Sequence, residues 1–274
     1  MEYTEFRLEF TPLPRYGDGM TKVFYFDTFS PDCYHYPIMP TLNDELKTFL
    51  LSRGASLVGF ADLHEINSKD RDDFPFGISI AIALNPQVMS DVKEGPTAEY
   101  YTEYKRLNEI LDNLGQSTAR WLMDKGYKAK ARPATFSEDK ATLTSKLPHK
   151  TVATRAGLGW IGKCNLLVTK RFGSAIRLTT VLTNAPLVVN KPVNESLCGH
   201  CTHCVEACPA RAHTGVIWQA GMPREALYDA FKCRETACAL SMKSFGESVS
   251  LCGLCIVACP WTKKYLERVL NKTK

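Results

Sequence analysis

The chain has 274 residues, 45% of them hydrophobic and 23% charged, with 34 basic against 29 acidic side chains and a net charge of +5. That length suits one large domain or two unequal ones, and the composition is that of a globular protein rather than a disordered or fibrous one. The charge is too mild to argue for a nucleic acid or an acidic partner by itself. Charged residues at Glu2, Glu5, Arg7 and Glu9 exclude a signal peptide. No run of about 18 apolar residues offers a membrane span, so no membrane partner is expected and the cytoplasm is the expected compartment.

Residues 1–41 read as an irregular extension, with strand-like pieces at Phe6–Phe10 and Lys22–Phe26 among several prolines. Leu42, Leu46, Phe49 and Leu50 recur at helical spacing, and Gly54 is placed to end that helix. Ser56–Ala61 and Ile78–Leu84 are apolar runs of strand length. Asn85 to Thr97 reads as a polar loop. From Ala98 to Lys125 the spacing predicts a long amphipathic helix that buries Tyr104, Leu107, Leu111, Leu114 and Leu122 and ends at Gly126. Tyr127–Ala131 reads as a strand, Thr151–Ala156 as a short helix, and Asn165–Thr169 and Ala175–Thr183 as strands. This mixed order predicts an α/β sandwich over residues 42–190. Beyond Pro186 the character changes to loops, cysteines and short helices, which predicts a second, smaller domain over 191–274.

Nine of the 11 cysteines lie between Cys198 and Cys259. Such crowding, in a chain without an export signal, points to metal rather than disulfides. Cys198, Cys201, Cys204 and Cys208, followed by Pro209, form the C-x2-C-x2-C-x3-C-P pattern of cubane iron–sulfur ligation. Three closely spaced thiolates wrap one cluster, while the fourth is expected to open a helix and to point toward another. Structural zinc usually takes two pairs of ligands a dozen or more residues apart, which this spacing does not match. Cys252, Cys255 and Cys259, followed by Pro260, repeat the motif with Val249 where its first cysteine would stand. The crossed arrangement of two-cluster ferredoxins gives one 4Fe–4S cluster Cys198, Cys201, Cys204 and Cys259. The other takes Cys208, Cys252, Cys255 and either Cys233 or Cys238. The leftover thiol, Cys33 and Cys164 are expected to be buried or idle.

Gly157-Leu-Gly159-Trp160-Ile-Gly162-Lys163-Cys164 satisfies G-x-G-x-x-G, but a helical stretch precedes it and a β-prone run follows. That is the reverse of a nucleotide-binding context. Two readings remain: a helix C-cap at Gly157 with a tight turn, or a bare backbone that lets a large flat cofactor approach. The base-displacing corrinoid pattern D-x-H-x-x-G is only half present, at Asp62 and His64, with Asn67 in place of the glycine.

The stretch Ala156–Lys163, with Gly173-Ser174, Val181-Leu-Thr183, both cysteine motifs and Cys-Pro-Trp261, resembles the core of epoxyqueuosine reductases. The resemblance implies a cobalamin-dependent reductase with a nitroreductase-like α/β sandwich followed by a small ferredoxin-like domain. Two 4Fe–4S clusters there pass electrons from an external low-potential donor to cobalt. It also implies a corrinoid held against Gly157, Gly159, Trp160, Lys163 and Ser174, and Cys233 as the isolated cluster ligand. The family's catalytic aspartate precedes a proline before the glycine turn. Here that stretch reads Thr144-Ser-Lys-Leu-Pro148-His149-Lys150, with Glu138 and Asp139 upstream. His149 is therefore the expected proton donor, with Asp139 second. Family members that act on tRNA carry a helical-repeat domain after the second motif. This chain stops 13 residues after Trp261, so a small-molecule substrate or a modified nucleoside is expected before tRNA. The alternative is a non-catalytic electron-transfer or corrinoid-binding protein.

Overall fold

The structure, a computed structural model, describes residues 40–135, 139 and 141–271. The two strand-like pieces expected before residue 40, Cys33 and Glu138 lie outside these residues. Helix α1 (Leu42–Leu51) starts at a reciprocal cap: Thr41 Oγ1 accepts from Asp44 N–H, and the Asp44 carboxylate accepts from Thr41 N–H. Strands β1 (Leu57–Asp62) and β2 (Phe76–Ala83) follow. A short helix α2 (Pro86–Ser90) interrupts the expected loop, because Asn85 caps it and Pro86 occupies its first turn. Then come the long helix α3 (Ala98–Asp124), strand β3 (Ala129–Arg132), helix α4 (His149–Arg155), and strands β4 (Trp160–Ile161), β5 (Leu167–Val168) and β6 (Ile176–Thr183).

The main sheet runs β1-β2-β6-β3, antiparallel throughout, with Phe60 opposite Ile78 and Val181 between Ile78 and Ala131. Side chains alternate across it. Phe60, Ile78, Ile80 and Val181 join Leu107, Leu111, Leu114 and Leu122 of α3 on one face. Ala61 and Leu182 meet Val152 and Ala156 at α4 on the other. The expected α/β sandwich is present. Helix α3 differs in detail: Tyr100 and Glu103 are buried, while Tyr104 is half-buried under the Arg177 guanidinium, 4.3 Å from its ring centre. The Glu103 carboxylate is kept inside by Arg106 and by Asn85 N–H, which a hydrophobic pattern cannot show.

After β6 the described chain is helical and irregular: α5 (His203–Glu206), α6 (Ala230–Phe245), α7 (Leu254–Ala258) and α8 (Pro260–Leu270). Helix α6, at 16 residues, is longer than the short helices expected there. Pro260 does open α8 behind Cys259, but Pro209 leads into a turn in which Arg211 has φ of 47°. The fourth cysteine of the first motif therefore starts no helix. Helix α8 is stitched to the sheet: Tyr265 Oη donates to Leu84 C=O at 2.9 Å, and Thr262 Oγ1 accepts from Ser174 N–H at 3.1 Å. Among the described residues no helix is long and apolar enough to cross a membrane.

Candidate functional site

Cys198, Cys201, Cys204 and Cys259 line one cavity of about 150 Å³. The first three wind along a turn into α5, and the fourth caps α8 from a distant part of the chain. Trp261 and Thr262 N–H groups at the start of α8 point at Cys259 Sγ. Cys208, Cys233, Cys252 and Cys255 form a second group: burial first, then the charges of Cys208 and Cys252, pushes Cys233 up to about 11. Cys255 is raised by burial and by Cys252, Cys233, Cys204 and Cys208. Thiols crowded in this way cannot all ionise unless a cationic core is bound among them, which is the chemistry of a cluster site. Among the described residues, no three His, Cys, Asp or Glu side chains converge as a single-ion site.

Cys164 is not idle. It is 4% exposed, lines the same cavity as Cys198, and donates its S–H to Cys204, which this bond lowers to about 7. Position 164 carried no sequence signal of its own. Only the β4–β5 hairpin brings it there.

The residues expected to cradle a flat cofactor are distributed differently. Gly157 is the C′ residue of α4, with φ of 69°; its N–H donates to Thr154 C=O, and Leu158 N–H donates to Ala153 C=O. A Cβ on Gly159 would lie 2.1 Å from Val168 C=O, so its bareness serves the hairpin and not a ligand. Trp160 is 1% exposed and packs edge-on to Trp261 with ring centres 5.4 Å apart. Lys163 lines the cysteine cavity. Of the five, Ser174 alone lines the larger cavity beside the sheet.

That cavity holds about 260 Å³ between β6, α4 and α7, and is lined by Tyr100, Arg132, Ser145, His149, Lys150 and Ser174 among apolar side chains. A neighbouring cleft of about 540 Å³ shares Pro148 and Lys150 with it and adds Arg155, Arg224 and Trp218. His149 is locked on both nitrogens: Nε2 faces Pro133 C=O at 2.8 Å, and Nδ1 faces Thr180 Oγ1 at 2.9 Å. Since a carbonyl only accepts, Nε2 carries the hydrogen and Nδ1 accepts from the hydroxyl. Burial pushes this imidazole down to about 4, so it is neutral near pH 7 and has no proton to spare. Asp139 is exposed, and the Thr142 hydroxyl holds its carboxyl below the usual range, the opposite of what a donor near neutral pH needs. Lys150, which sequence reasoning passed over, has the property sought in them. Burial brings its ammonium down to about 7, and Nζ donates to Asn165 C=O at 2.6 Å. A lysine two residues after a proline gives no hint of this; the signal is desolvation.

Residues 197–262 match the 4Fe-4S double cluster binding domain family. The epoxyqueuosine reductase of a Synechococcus species is 29% identical over 191 residues, covering 69% of this chain and 56% of the relative. That of Bacillus cereus is 34% identical over 129 residues, 44% of this chain and 31% of its own. The chain thus spans about half the length, or less, of these relatives. Among solved structures, a catabolic reductive dehalogenase superposes with a TM-score of 0.60 at 19% identity, covering 81% of this chain and 32% of that one. An epoxyqueuosine reductase solved with an epoxyqueuosine-modified tRNA stem loop gives 0.53 at 22% identity, covering 81% and 65%. At these identities the superpositions establish the fold. Residues 197–262 thus carry a double 4Fe–4S cluster domain, in a chain similar in sequence to epoxyqueuosine reductases.

Proposed function

We propose that the chain is a cytoplasmic reductase. Its two clusters relay single electrons from an external low-potential donor to a corrinoid, and the substrate is a small molecule or a modified nucleoside. The observation that carries this reading is the gathering of Cys198, Cys201, Cys204 and Cys259, from segments far apart in sequence, around one cavity. We assign those four to the first cluster and Cys208, Cys233, Cys252 and Cys255 to the second, with residues 42–190 as the cofactor and substrate part and 191–274 as the cluster part. Proteins with the same fold include a reductive dehalogenase proposed to work through B12-dependent dehalogenation and an epoxyqueuosine reductase with an epoxyqueuosine-modified tRNA stem loop, which supports the corrinoid and the nucleoside. The two cavities sharing Pro148 and Lys150 suit it, since together they offer apolar walls and a few convergent polar groups. A bound corrinoid supplies a strongly reducing, nucleophilic metal. The chain's part is to hold it, exclude water and furnish a proton. Lys150 is the group supported as donor, with His149 fixing the cavity wall as a neutral bridge between Pro133 and Thr180.

Anaerobically purified protein is expected to hold about eight iron and about eight sulfide per chain. Addition of cobalamin to the iron-replete protein is expected to change the corrinoid visible spectrum. Stoichiometric zinc, or half that iron, overturns the two-cluster assignment; an unchanged corrinoid spectrum overturns the cofactor.

A further inference from the structure

One wall of the first cysteine cavity is made by the Gly162-Lys163-Cys164 turn of the β4–β5 hairpin. A Cβ on Gly162 would lie 3.6 Å from Cys198 Sγ, so the turn backs directly onto the ligands. Lys163 is only 6% exposed there, and among the described residues no carboxylate pairs with it. Its charge acts on Cys204, and Lys150 acts on Cys164 from behind. The second group has the opposite surroundings. Asp229 acts on Cys233 there, partly offset by Lys232 at 3.6 Å, and Cys255 is surrounded by other cysteines.

A thiolate-bound cubane becomes more negative by one charge when it takes up an electron. A cation held in a poorly solvated cavity therefore stabilises the reduced form more than the oxidised form. Hydrogen bonds to the sulfurs act in the same direction. We infer that Lys163 and Cys164 set the reduction potential of the Cys198–Cys259 cluster above that of the Cys208–Cys255 cluster, so that electrons entering from a low-potential donor run from the second cluster to the first. In each transfer one electron leaves the second cluster and one enters the first, and no bond is made or broken.

This inference rests on the proposed ligand assignment, so iron is counted first; fewer than about eight iron in the wild type counts against that assignment and not against the tuning. The test is a redox titration of the holoprotein followed by EPR. Lys163→Met is expected to lower one midpoint by about tenfold in the reduction equilibrium constant, about 59 mV for a one-electron couple, and to leave the other in place. Lys163→Arg is expected to keep the wild-type value. Cys164→Ala, which removes the S–H donor without touching the charge, is expected to lower the same midpoint by less and to retain all iron. The inference falls if both midpoints stay put in Lys163→Met and Cys164→Ala, or if they move together. It also falls if Cys164→Ala loses a cluster, since Cys164 is then a ligand.

Discussion

His149 illustrates how a side chain chosen for its chemistry can be used for its shape. Its two hydrogen bonds suit the neutral imidazole, which donates from Nε2 to Pro133 C=O and accepts at Nδ1 from the Thr180 hydroxyl. The folded value of about 4 lies below the ordinary 6.5, so the unfolded chain binds more protons between those limits. Stability therefore rises with pH across that window and is lost as pH falls through it, by at most about 3 kcal/mol. Chemical denaturation of wild type and His149→Gln between pH 6.5 and 4 checks this: the variant's acid slope is expected to be shallower, and an equal slope refutes it. Gly159 gives a second residue-level outcome. Gly159→Ala forces a Cβ against the Val168 carbonyl and is expected to cost about 1–3 kcal/mol, lowering the melting temperature whether or not a corrinoid is present. The gathering of Cys198, Cys201 and Cys204 was readable from spacing because one local loop sets their geometry. Cys164 and Lys150 were not, because hairpin closure and burial give them their surroundings.

At the scale of elements, helical spacing was enough to find α1 and α3, and apolar runs of strand length marked the strands of the main sheet, both of whose faces are packed. Strand β4 escaped because two residues carry no period, and α2 escaped because a five-residue helix is made by its cap rather than by its pattern. The docking of α8 is also invisible in the sequence. It depends on Tyr265 reaching Leu84 C=O, and on Thr262 meeting Ser174. Tyr265→Phe leaves the ring and removes the hydroxyl donor, which is expected to cost about 1 kcal/mol in thermal unfolding. Because α8 carries Cys259 at its cap, the same variant is expected to release iron to a chelator faster than wild type. An unchanged release rate argues against α8 docking as the clamp on that ligand. On α6, Cys233→Ala is expected to lose iron from one cluster and Cys238→Ala to keep both; the reverse result exchanges their assignments.

For the molecule as a whole, one hydrophobic cluster passes from Leu107 and Val181 at the sheet through Trp160 and Leu167 to Ile256, Tyr265 and Leu266. Apolar contact on that scale ties the cluster-bearing helices to the sheet energetically. Cluster binding is linked to folding, since the ligands are organised only in the folded chain. Removing iron with a chelator under reducing conditions is therefore expected to lower the melting temperature of the sheet as well as of the helices around the cysteines. Calorimetry of the loaded and stripped protein checks this. A sheet transition that stays in place while a separate transition disappears shows that the two parts fold independently.

The cavity that unites Cys259 with Cys198, Cys201 and Cys204 also has a consequence for biosynthesis. A ribosome releases the first three ligands long before the fourth, and Cys208 likewise emerges well ahead of Cys252 and Cys255. A nascent chain offered a preformed cluster at the first motif would hold it by three thiolates, leaving one iron corner open to water and oxygen. Complete enclosure has to wait until α8 has been made and has docked on the sheet. Under the proposed ligand assignment, loading is expected to be a late event in the life of the polypeptide, with oxygen exposure during translation more damaging than the same exposure afterwards.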